Sequence, residues 1–573
     1  MKLSAAIKIA IAVVVCLLLL SGCSSQPAQP ADAIYFGGDI ITMNEAQPTA
    51  EAVAVKDGKI LMVGTRADLE KNHKGDKTVM IDLGGKTLLP AFLDAHSHYI
   101  NSLTVANQVN VYPPPAGPGK DVASIIAALK QYQEEKKIPA GVMIQAYGYD
   151  ENVMPAGHQL NRDELDKAFP DNPVIVGHVS MHGGVLNSLA LKQFGYSAAT
   201  KTPEGGVIVR KPGTQEPYGL IMETAYLPVF EGQPKPTPEQ EVEWSKAGQM
   251  LYAQNGITTA QEGATHAPDL AVIQRAAAGG ATLIDVIAYP FILDLDKVLA
   301  ANPVDTWGKY KNRVKIGGVK ITSDGSPQGK TAFFTTPYLK GGPGGEKNWR
   351  GEPTFPPDML NGMVKKVYGL NVPLLVHANG DAAIDLVLKA NELATGGDLK
   401  KHPPLTMIHA QFTRPDQLDQ YVAANIRPSF YTLHTFYFAD AHIANRGPKQ
   451  AAYISPMRDA IDKGIHPTNH TDFVVAPLDQ MFMLWSAVNR ISRSGEVLGP
   501  DQRVTPMEGL KAMTIWVAEQ YGEQDSKGTL QGGKLADLVV LSENPLKVDK
   551  LKIKDIKVVE TIKEGKSIFQ AKN

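Results

Sequence analysis

The chain has 573 residues, of which 43% are hydrophobic, so it exceeds one ordinary domain and can bury a large core. Its 57 lysines and arginines balance 59 acidic residues, and the formal net charge of -2 gives no attraction for a polyanion such as nucleic acid. Both cysteines, Cys16 and Cys23, lie near the N-terminus, which leaves the body of the chain without a thiol for disulfides or nucleophilic catalysis. A metal in this protein must therefore be bound by nitrogen and oxygen.

The first residues have the pattern of an export signal. Two lysines precede an apolar run at residues 9–20, which suits a signal peptide and is short for a membrane span. The run ends in Leu20-Ser21-Gly22-Cys23, which resembles the lipobox of bacterial lipoproteins, where cleavage before the cysteine leaves a lipid on its thiol. We therefore predict a signal peptide over residues 1–23 and lipidation of Cys23, with a plain secretory peptide as the alternative.

The residues after this cysteine predict where the protein is held. Residues 24–32 are rich in serine, proline and glutamine, which indicates a flexible tether. Resemblance to lipoprotein signals also implies, through Ser24 in place of aspartate, retention at the outer membrane of a Gram-negative cell. The predicted location is the periplasm, with the membrane contacted through the lipid on Cys23.

Both ends of the mature chain carry short strand patterns. Four runs have the composition of strands, at residues 52–55, 60–63, 537–541 and 558–569. The first two flank Asp57-Gly58 and the last contains Glu564-Gly565, both of which predict tight turns. We predict that residues 33–88 and 495–573 form one small composite β-sandwich domain in which the chain ends meet.

Between these ends, apolar runs of four to six residues alternate with longer amphipathic stretches, the order typical of βα units. We predict an α/β fold, a (β/α)8 TIM-like barrel over residues 89–494, with an insertion around residues 101–220 that carries many turn signals. Three of the apolar runs end at His96, His377 and His409. In parallel barrels the carboxyl ends of the strands form the active site, so these histidines are candidate ligands.

The motif His96-Ser97-His98 follows the first of these strands. Alternate residues of a strand face the same way, so both imidazoles can reach one ion. The motif is weak when taken alone, because a hydrogen-bonded pair without metal has the same pattern. Its position at a strand end is what favours a metal site.

Lys320 lies inside the apolar strand pattern Val319-Lys320-Ile321-Thr322, where a buried ammonium is unfavourable. Desolvation lowers the pKa of a lysine, and a neutral amine can add carbon dioxide to become a carbamate that bridges two metals. The alternatives are an ion pair with Asp324, or a side chain that extends outward to solvent.

Three later residues complete the candidate set. His377 and His409 offer neutral imidazole nitrogens suited to zinc, iron or nickel, although each alone also suits a hydrogen-bonded core histidine. Asp472 offers a carboxylate late in the barrel, and an aspartate beside a metal can take a proton from water. Its alternative role is that of a helix cap or turn residue.

The candidate metal ligands, taken in chain order, resemble the metal constellation of the amidohydrolase superfamily. The surrounding sequence is similar to the third subfamily of this superfamily, which includes N-substituted formamide deformylases. The resemblance runs along nearly the whole mature chain. It is carried by residues 52–64, 89–98, 256–259, 318–326, 377–381 and 533–541. The chain departs from the family at Ala91, usually glycine, and at Pro327-Gln328-Gly329-Lys330, usually Leu-Gly-Ser-Arg. Neither departure removes a ligand, but the second leaves the substrate open.

The resemblance implies two divalent metal ions, with zinc favoured. The implied ligands are His96, His98, Lys320, His377, His409 and Asp472. The first two histidines and the aspartate would hold one ion and the other histidines the second, with the N-carboxylated lysine between them. A hydroxide bridging the ions would attack the substrate, and Asp472 would act as the catalytic proton carrier.

Three further histidines are candidate substrate-binding residues. His182 lies in a segment that resembles one overhanging the site in the family, and His434 and His442 flank the seventh-strand region among several aromatic residues. The sequence thus predicts an aromatic pocket with imidazole donors. In the alternative interpretation the aromatic residues are core and these histidines lie on the surface.

The predicted function is hydrolysis of a non-peptide, amide-type carbon–nitrogen bond in a small-molecule substrate. Esterase or deaminase activity on the same scaffold is the first alternative, because the fold alone does not separate these reactions. The second alternative is a lipoprotein that acts as a binding or regulatory protein without catalysis. The complete ligand set argues against it, since a decayed site would lose a member.

Overall fold

The computed structural model describes residues 29–151, 154–155, 158–179, 183–203, 206–233, 236–343 and 346–572. The predicted signal peptide, Cys23 and most of the tether lie outside these residues. Among the described helices, none combines the length and the apolar composition that a bilayer span requires.

The two chain ends meet in one mixed sheet of eight strands. Its strands, in spatial order, are Lys566–Gln570, Val558–Lys563, Leu538–Leu541, Thr87–Pro90, Ala33–Ile41, Thr49–Lys56 and Lys59–Gly64, with Val79–Asp82 also paired to Ala33–Ile41. The ends join where Val539 faces Leu89 in an antiparallel pair. At the predicted Asp57-Gly58 turn both residues have positive φ, 48° and 76°, as a two-residue hairpin turn requires.

The centre of the molecule contains two parallel sheets. The first has the order Val314–Ile316, Asp285–Pro290, Ile257–Thr265 and Phe92–Leu93. The second has the order Val319–Thr322, Leu374–Ala378, Leu405–His409, Arg427–Phe430 and Thr468–Asn469. A bridge between Phe291 and Lys320 links them on one side, and on the other the amide of Asp472 donates to the carbonyl of His96 at 3.2 Å. The two sheets are therefore linked at both edges.

Helices cover these parallel strands. Those between or after the strands are Tyr99–Val105, Pro238–Gln254, Ala267–Ala278, Leu295–Ala301, Pro357–Leu370, Asp381–Thr395, Pro415–Ala424, His434–Tyr437, Ala439–Arg446, Pro448–Ala452, Met457–Asp462, Gln480–Asn489, Pro506–Lys511 and Ile515–Gln520. The helix Pro238–Gln254 begins at a capping box, in which Thr237 and Gln240 exchange side-chain and backbone hydrogen bonds. Buried apolar residues of the helices and strands form two large core clusters beneath them.

The predicted insertion contains a sheet of its own. Its six strands, in spatial order, are Gly206–Arg210, Pro217–Glu223, Gly183–Leu186, Val174–His178, Ile144–Tyr149 and Val109–Asn110. Four helices accompany this sheet: Val122–Lys136, Arg162–Ala168, Ser188–Gln193 and Leu227–Glu231. A further helix, Arg66–His73, lies beside the mixed sheet instead. The Tyr112 hydroxyl donates to the carbonyl of Val474 at 2.5 Å, so the insertion contacts the loop that follows Asp472.

Candidate metal centre

The predicted ligands converge at the carboxyl ends of the parallel strands. Parallel register pairs Thr322 with His377 and Ala378 with His409, so neighbouring strands present these side chains at one level. Parallel strands that end at one edge bring residues distant in sequence into one site. Five of the six predicted ligands lie at or just beyond this edge: His96, His98, His377, His409 and Asp472. The sixth, Lys320, lies two residues before the end of its strand.

His96, His98 and Asp472 form a group with the spacing of metal ligands. Oδ1 of Asp472 lies 3.5 Å from Nε2 of His96 and 3.4 Å from Nε2 of His98. Two ligand atoms at about 2.0–2.2 Å from one tetrahedral ion are themselves roughly 3.3–3.6 Å apart. Oδ1 of Asp472 is buried and has no hydrogen-bond partner among the described residues, as expected of an atom reserved for a cation. These three residues fit a divalent ion.

Lys320 lies beside this group. It is 2% exposed, and its Nζ is 3.0 Å from Nε2 of His96. Burial lowers the pKa of its amine to about 7. Both alternatives considered for this lysine are wrong: its side chain is buried, and Asp324 accepts instead from the backbone amides of Asn379 and Gly380, at 2.9 and 2.8 Å.

His377 and His409 form a second pair. Nδ1 of His377 lies 3.0 Å from Nε2 of His409, close to the separation of two ligands on one ion. Burial lowers the pKa of His409 well below 6.5, so its imidazole is neutral and has a lone pair available. The donor set of two imidazoles, with Lys320 on a neighbouring strand, fits a second divalent ion.

Two of the candidate ligands have an unusual backbone conformation. His409 has φ 68° and Asp472 has φ 54°, both in the left-handed region that residues other than glycine rarely adopt. Such residues each cost about 1–3 kcal/mol and persist where the surrounding structure imposes them, most often at functional sites. The strain supports a functional role for this edge of the sheets.

Gln261 orients His96, a role that the sequence interpretation missed. Its Oε1 lies 2.6 Å from Nδ1 of His96, and its Nε2 donates to the carbonyl of Ala95 and to the hydroxyl of Tyr521. Because both Nε2 hydrogens of Gln261 are used in this way, its Oε1 must accept a hydrogen bond from an N–H group at Nδ1 of His96. The Nε2 lone pair of His96 is then directed at the metal site. The sequence gave little signal of this role, because strand Ile257–Thr265 contains several polar residues besides Gln261.

His470 is a second residue that the sequence interpretation passed over. Its Nε2 lies 3.1 Å from Nδ1 of His409, and its Nδ1 lies 2.9 Å from Oγ of Ser429. Burial lowers the pKa of His470 to about 3, so its imidazole is neutral. Its Nε2 can then accept a hydrogen bond from the Nδ1–H group of His409. The signal was its position two residues before Asp472.

The three predicted substrate-binding histidines have different outcomes. His182 lies outside the described residues. His434 and His442 are 3% and 0% exposed, so the alternative that placed them on the surface is wrong. They contact each other, with Nδ1 of His434 at 2.9 Å from Nε2 of His442, and Tyr431 packs on His434 with ring centroids 4.4 Å apart.

Comparisons with known proteins identify the family of this chain. The sequence model of the amidohydrolase family matches residues 79–569. The protein YtcJ of Bacillus subtilis is 28% identical over 560 residues, which cover 94% of this chain and 99% of YtcJ. The N-substituted formamide deformylase of Arthrobacter pascens is 25% identical over 548 residues, which cover 94% of this chain and 98% of the deformylase.

A solved structure has a similar fold. The structure of a metal-dependent hydrolase from Pyrococcus horikoshii superposes with a TM-score of 0.69 at 22% identity, over 90% of this chain and 99% of that protein. The family match spans most of the chain, and the resemblance seen in the sequence is confirmed. The chain therefore belongs to the amidohydrolase family and is a hydrolase that acts on carbon–nitrogen bonds.

Proposed function

We propose that this protein hydrolyses a non-peptide, amide-type carbon–nitrogen bond at a centre that binds two divalent ions, with zinc favoured. The observation that carries the proposal is the buried contact between Nζ of Lys320 and Nε2 of His96, at 3.0 Å. It brings an amine with a lowered pKa to the group of three residues spaced as metal ligands. Burying these polar groups costs free energy, so a structural core that binds no metal would not favour this arrangement.

His96, His98 and Asp472 would hold one ion, and His377 and His409 the second. When bound, the ions would lower the pKa of water toward neutrality and polarise the carbonyl of the substrate. We further propose that the two parallel sheets form a single eight-stranded barrel, in which Val314–Ile316 and Val319–Thr322, separated by two glycines, are two halves of one barrel strand. Residues 33–88 and 495–573 would be its flanking domain.

Lys320 would act in its carboxylated form. Its neutral amine would add to carbon dioxide and release one proton, which gives an anionic carbamate able to reach both metal positions. Burial favours this step, because it keeps a substantial part of the amine uncharged near pH 7. The carbamate would also offset the positive charge of the two ions.

Asp472 would move the proton. Its Oδ1 has no hydrogen-bond partner among the described side chains, and its pKa is well below 3.8 because the neighbouring histidines outweigh the effect of burial. The ionised carboxylate would take a proton from the attacking water and return it to the nitrogen as the carbon–nitrogen bond breaks. An amine leaves poorly unless it is protonated, so this transfer matters most for amides.

The substrate class is supported by the relatives. The Arthrobacter pascens relative is named for N-substituted formamides, which are small uncharged amides. The site of this chain combines buried imidazoles with the aromatic ring of Tyr431, which suits an uncharged substrate. Esterase and deaminase activity are the alternatives that a substrate panel must exclude.

The test combines metal analysis with a matched substrate panel. Purified protein should contain two ions per chain and should hydrolyse N-alkyl formamides faster than matched formate esters or aminated heterocycles. Faster turnover of the esters would overturn the proposed specificity. Fewer than one ion per chain, with no activity gained on adding zinc, would overturn the enzymatic function and favour a binding or regulatory lipoprotein.

We also propose that the protein is periplasmic and is held at the outer membrane by a lipid on Cys23. The support is the Leu20-Ser21-Gly22-Cys23 motif, followed by Ser24. Cells fed a labelled fatty acid should incorporate it into the wild-type protein and not into Cys23→Ser. Equal labelling of both proteins, or none of either, would contradict the lipid anchor.

A further inference from the structure

Two histidines and a tyrosine form a buried layer beside the candidate metal centre. Tyr431, His434 and His442 are 1%, 3% and 0% exposed. Tyr431 lies between the other groups, with its ring centroid 4.4 Å from that of His434 and 5.2 Å from that of His470. His470 in turn contacts the candidate ligand His409. Tyr431 also contacts His409 directly, with ring centroids 6.1 Å apart, so the layer adjoins the candidate ligands.

The proton positions in the histidine pair follow from one unpaired atom. Nδ1 of His442 is buried and has no hydrogen-bond partner among the described residues, while its Nε2 lies 2.9 Å from Nδ1 of His434. His442 also packs against the rings of Phe412 and Phe438. Burial lowers its pKa to about 3 and that of His434 well below 6.5, so both imidazoles are neutral and each carries one proton.

A proton on Nδ1 of His442 would leave a buried N–H group without an acceptor, which is rare in folded proteins. A proton on Nε2 leaves only a lone pair unpaired and allows Nε2 to donate to Nδ1 of His434. His434 then accepts at Nδ1, so its own proton must be on Nε2. No hydrogen bond among the described residues involves Nε2 of His434, so the proton on that atom is available to a ligand.

The hydroxyl of Tyr431 is the second available donor. It is buried and has no hydrogen-bond partner among the described residues. A phenol has an ordinary pKa near 10 and keeps its proton at neutral pH. An unpaired buried hydroxyl is unfavourable unless a ligand or a water satisfies it. Two neutral donors thus lie side by side next to the candidate metal centre.

We propose that His442 is a positioning residue that fixes the proton of His434 on Nε2, and that His434 and Tyr431 donate hydrogen bonds to an oxygen of the substrate. This proposal rests on the proposed function and deepens it. Two uncharged donors suit the oxygen of an amide or a carboxylate and disfavour an ammonium or guanidinium group. The bound substrate would therefore present an acceptor oxygen on the side of strand Arg427–Phe430.

The kinetic test uses a conservative pair of variants. His442→Phe removes the donor, and it should lower kcat/KM for the best formamide substrate roughly tenfold, the effect of one misplaced hydrogen bond. His442→Gln keeps an N–H group at the same distance and should restore most of the lost rate. In a His434→Phe background, His442→Phe should have no further effect, because there is no imidazole left to position.

A matched control and a direct reading of the proton complete the test. His402→Phe alters a histidine whose Nε2 contacts the carbonyl of Ala424, and it should leave kcat/KM unchanged. Nitrogen-15 NMR of the histidine-labelled, metal-loaded protein should find the His434 proton on Nε2 in the wild type and a mixture of tautomers in His442→Phe. A wild-type His434 protonated on Nδ1, or equal kcat/KM in wild type and His442→Phe, would overturn the proposal.

The NMR result also separates this proposal from the proposed function. If the wild type hydrolyses none of the amides, the proposed function fails. The Nε2 tautomer and its loss in His442→Phe would in that case still support the positioning role. An active enzyme with the wrong tautomer would overturn the positioning role alone.

Discussion

Nζ of Lys320 and Nε2 of His96 lie 3.0 Å apart in the interior, where the two side chains are 2% and 0% exposed. The contact joins a lysine inside one parallel strand to a histidine that follows another. Burial lowers the pKa of Lys320 to about 7 and that of His96 well below 6.5, so neither group needs to be charged at neutral pH. Both nitrogens, when uncharged, also carry a lone pair that can bind a cation.

The first prediction concerns this lysine. Lys320→Ala should lower kcat by about 100-fold or more, because the anionic bridge between the two metal positions would be lost. Added short carboxylic acids should restore part of the activity by occupying the vacated space. The measurement is kcat with and without added acetate or propionate, together with metal content.

Lys315 provides the matched control for Lys320. It is also buried on a parallel strand, but its amine forms an ion pair with Glu523. Lys315→Met should lower the free energy of unfolding and leave metal content and kcat near the wild-type values. Wild-type kcat in Lys320→Ala would refute the bridging role.

The second prediction concerns Gln261, which orients His96. Gln261→Leu should weaken metal binding about 10–100-fold, as is typical when the partner of a metal-binding histidine is removed. Chelator competition measures this affinity directly. Gln417→Leu is the control, since Gln417 is equally buried but bonds Asp385 at 2.7 Å, away from the candidate ligands. Equal metal affinity in both variants would contradict the orienting role.

The third prediction concerns proton transfer by Asp472. Asp472→Asn keeps the shape of the side chain but removes the base, and kcat should fall about 10²–10⁴-fold. The fall should be larger for amides than for activated esters, because an activated ester leaves without a proton. Equal losses for both substrate types would show that Asp472 acts only in metal binding.

The fourth prediction concerns stability. Asp285 is 4% exposed and accepts from Lys527 at 2.7 Å and from Lys563 at 2.6 Å, so it ties a parallel strand to the C-terminal strand Val558–Lys563. Asp285→Asn should lower the free energy of unfolding by about 1.5–3 kcal/mol, because Lys527 and Lys563 lose a shared carboxylate and keep only Glu523 and Asp537, respectively, as carboxylate partners. Denaturant unfolding followed by circular dichroism measures the change.

The same aspartate predicts a pH dependence. Burial opposes ionisation of Asp285, but Lys527 and Lys563 outweigh it and hold its pKa below 3.8. Its stabilisation is therefore complete above the unfolded-state pKa, near pH 4, and is lost as the pH falls through the lower pKa of the folded state. Asp285→Asn should flatten the decline of stability in acid. The exposed Asp76→Asn should not, and an equal effect would contradict the account.

Particular residues show what the sequence could and could not predict. The apolar runs that precede His96, His377 and His409 gave the strand ends, because parallel strands place such residues at one edge. Lys320 stood out since a lysine inside an apolar strand is unfavourable without a special role. The sequence pattern could not predict the order of the eight strands in the mixed sheet, because strand pairing across 440 or more residues leaves no local signal.

The sequence alone also could not predict the roles of Gln261, His470 and Tyr431. Each depends on a contact made across the fold, such as the 165 residues that separate Gln261 from His96. Glutamine and tyrosine occur in many buried positions, and only the unpaired hydroxyl of Tyr431 distinguishes it from a core aromatic. Tertiary contacts assigned these roles, where residue type alone did not.

The most direct test of the central claim is the metal content of the purified protein, measured together with amide hydrolysis on the same sample. We predict two divalent ions per chain, loss of hydrolysis when a chelator removes them, and recovery when zinc and bicarbonate are added back. Less than one ion per chain, with no hydrolysis gained on adding zinc and bicarbonate, would contradict the account.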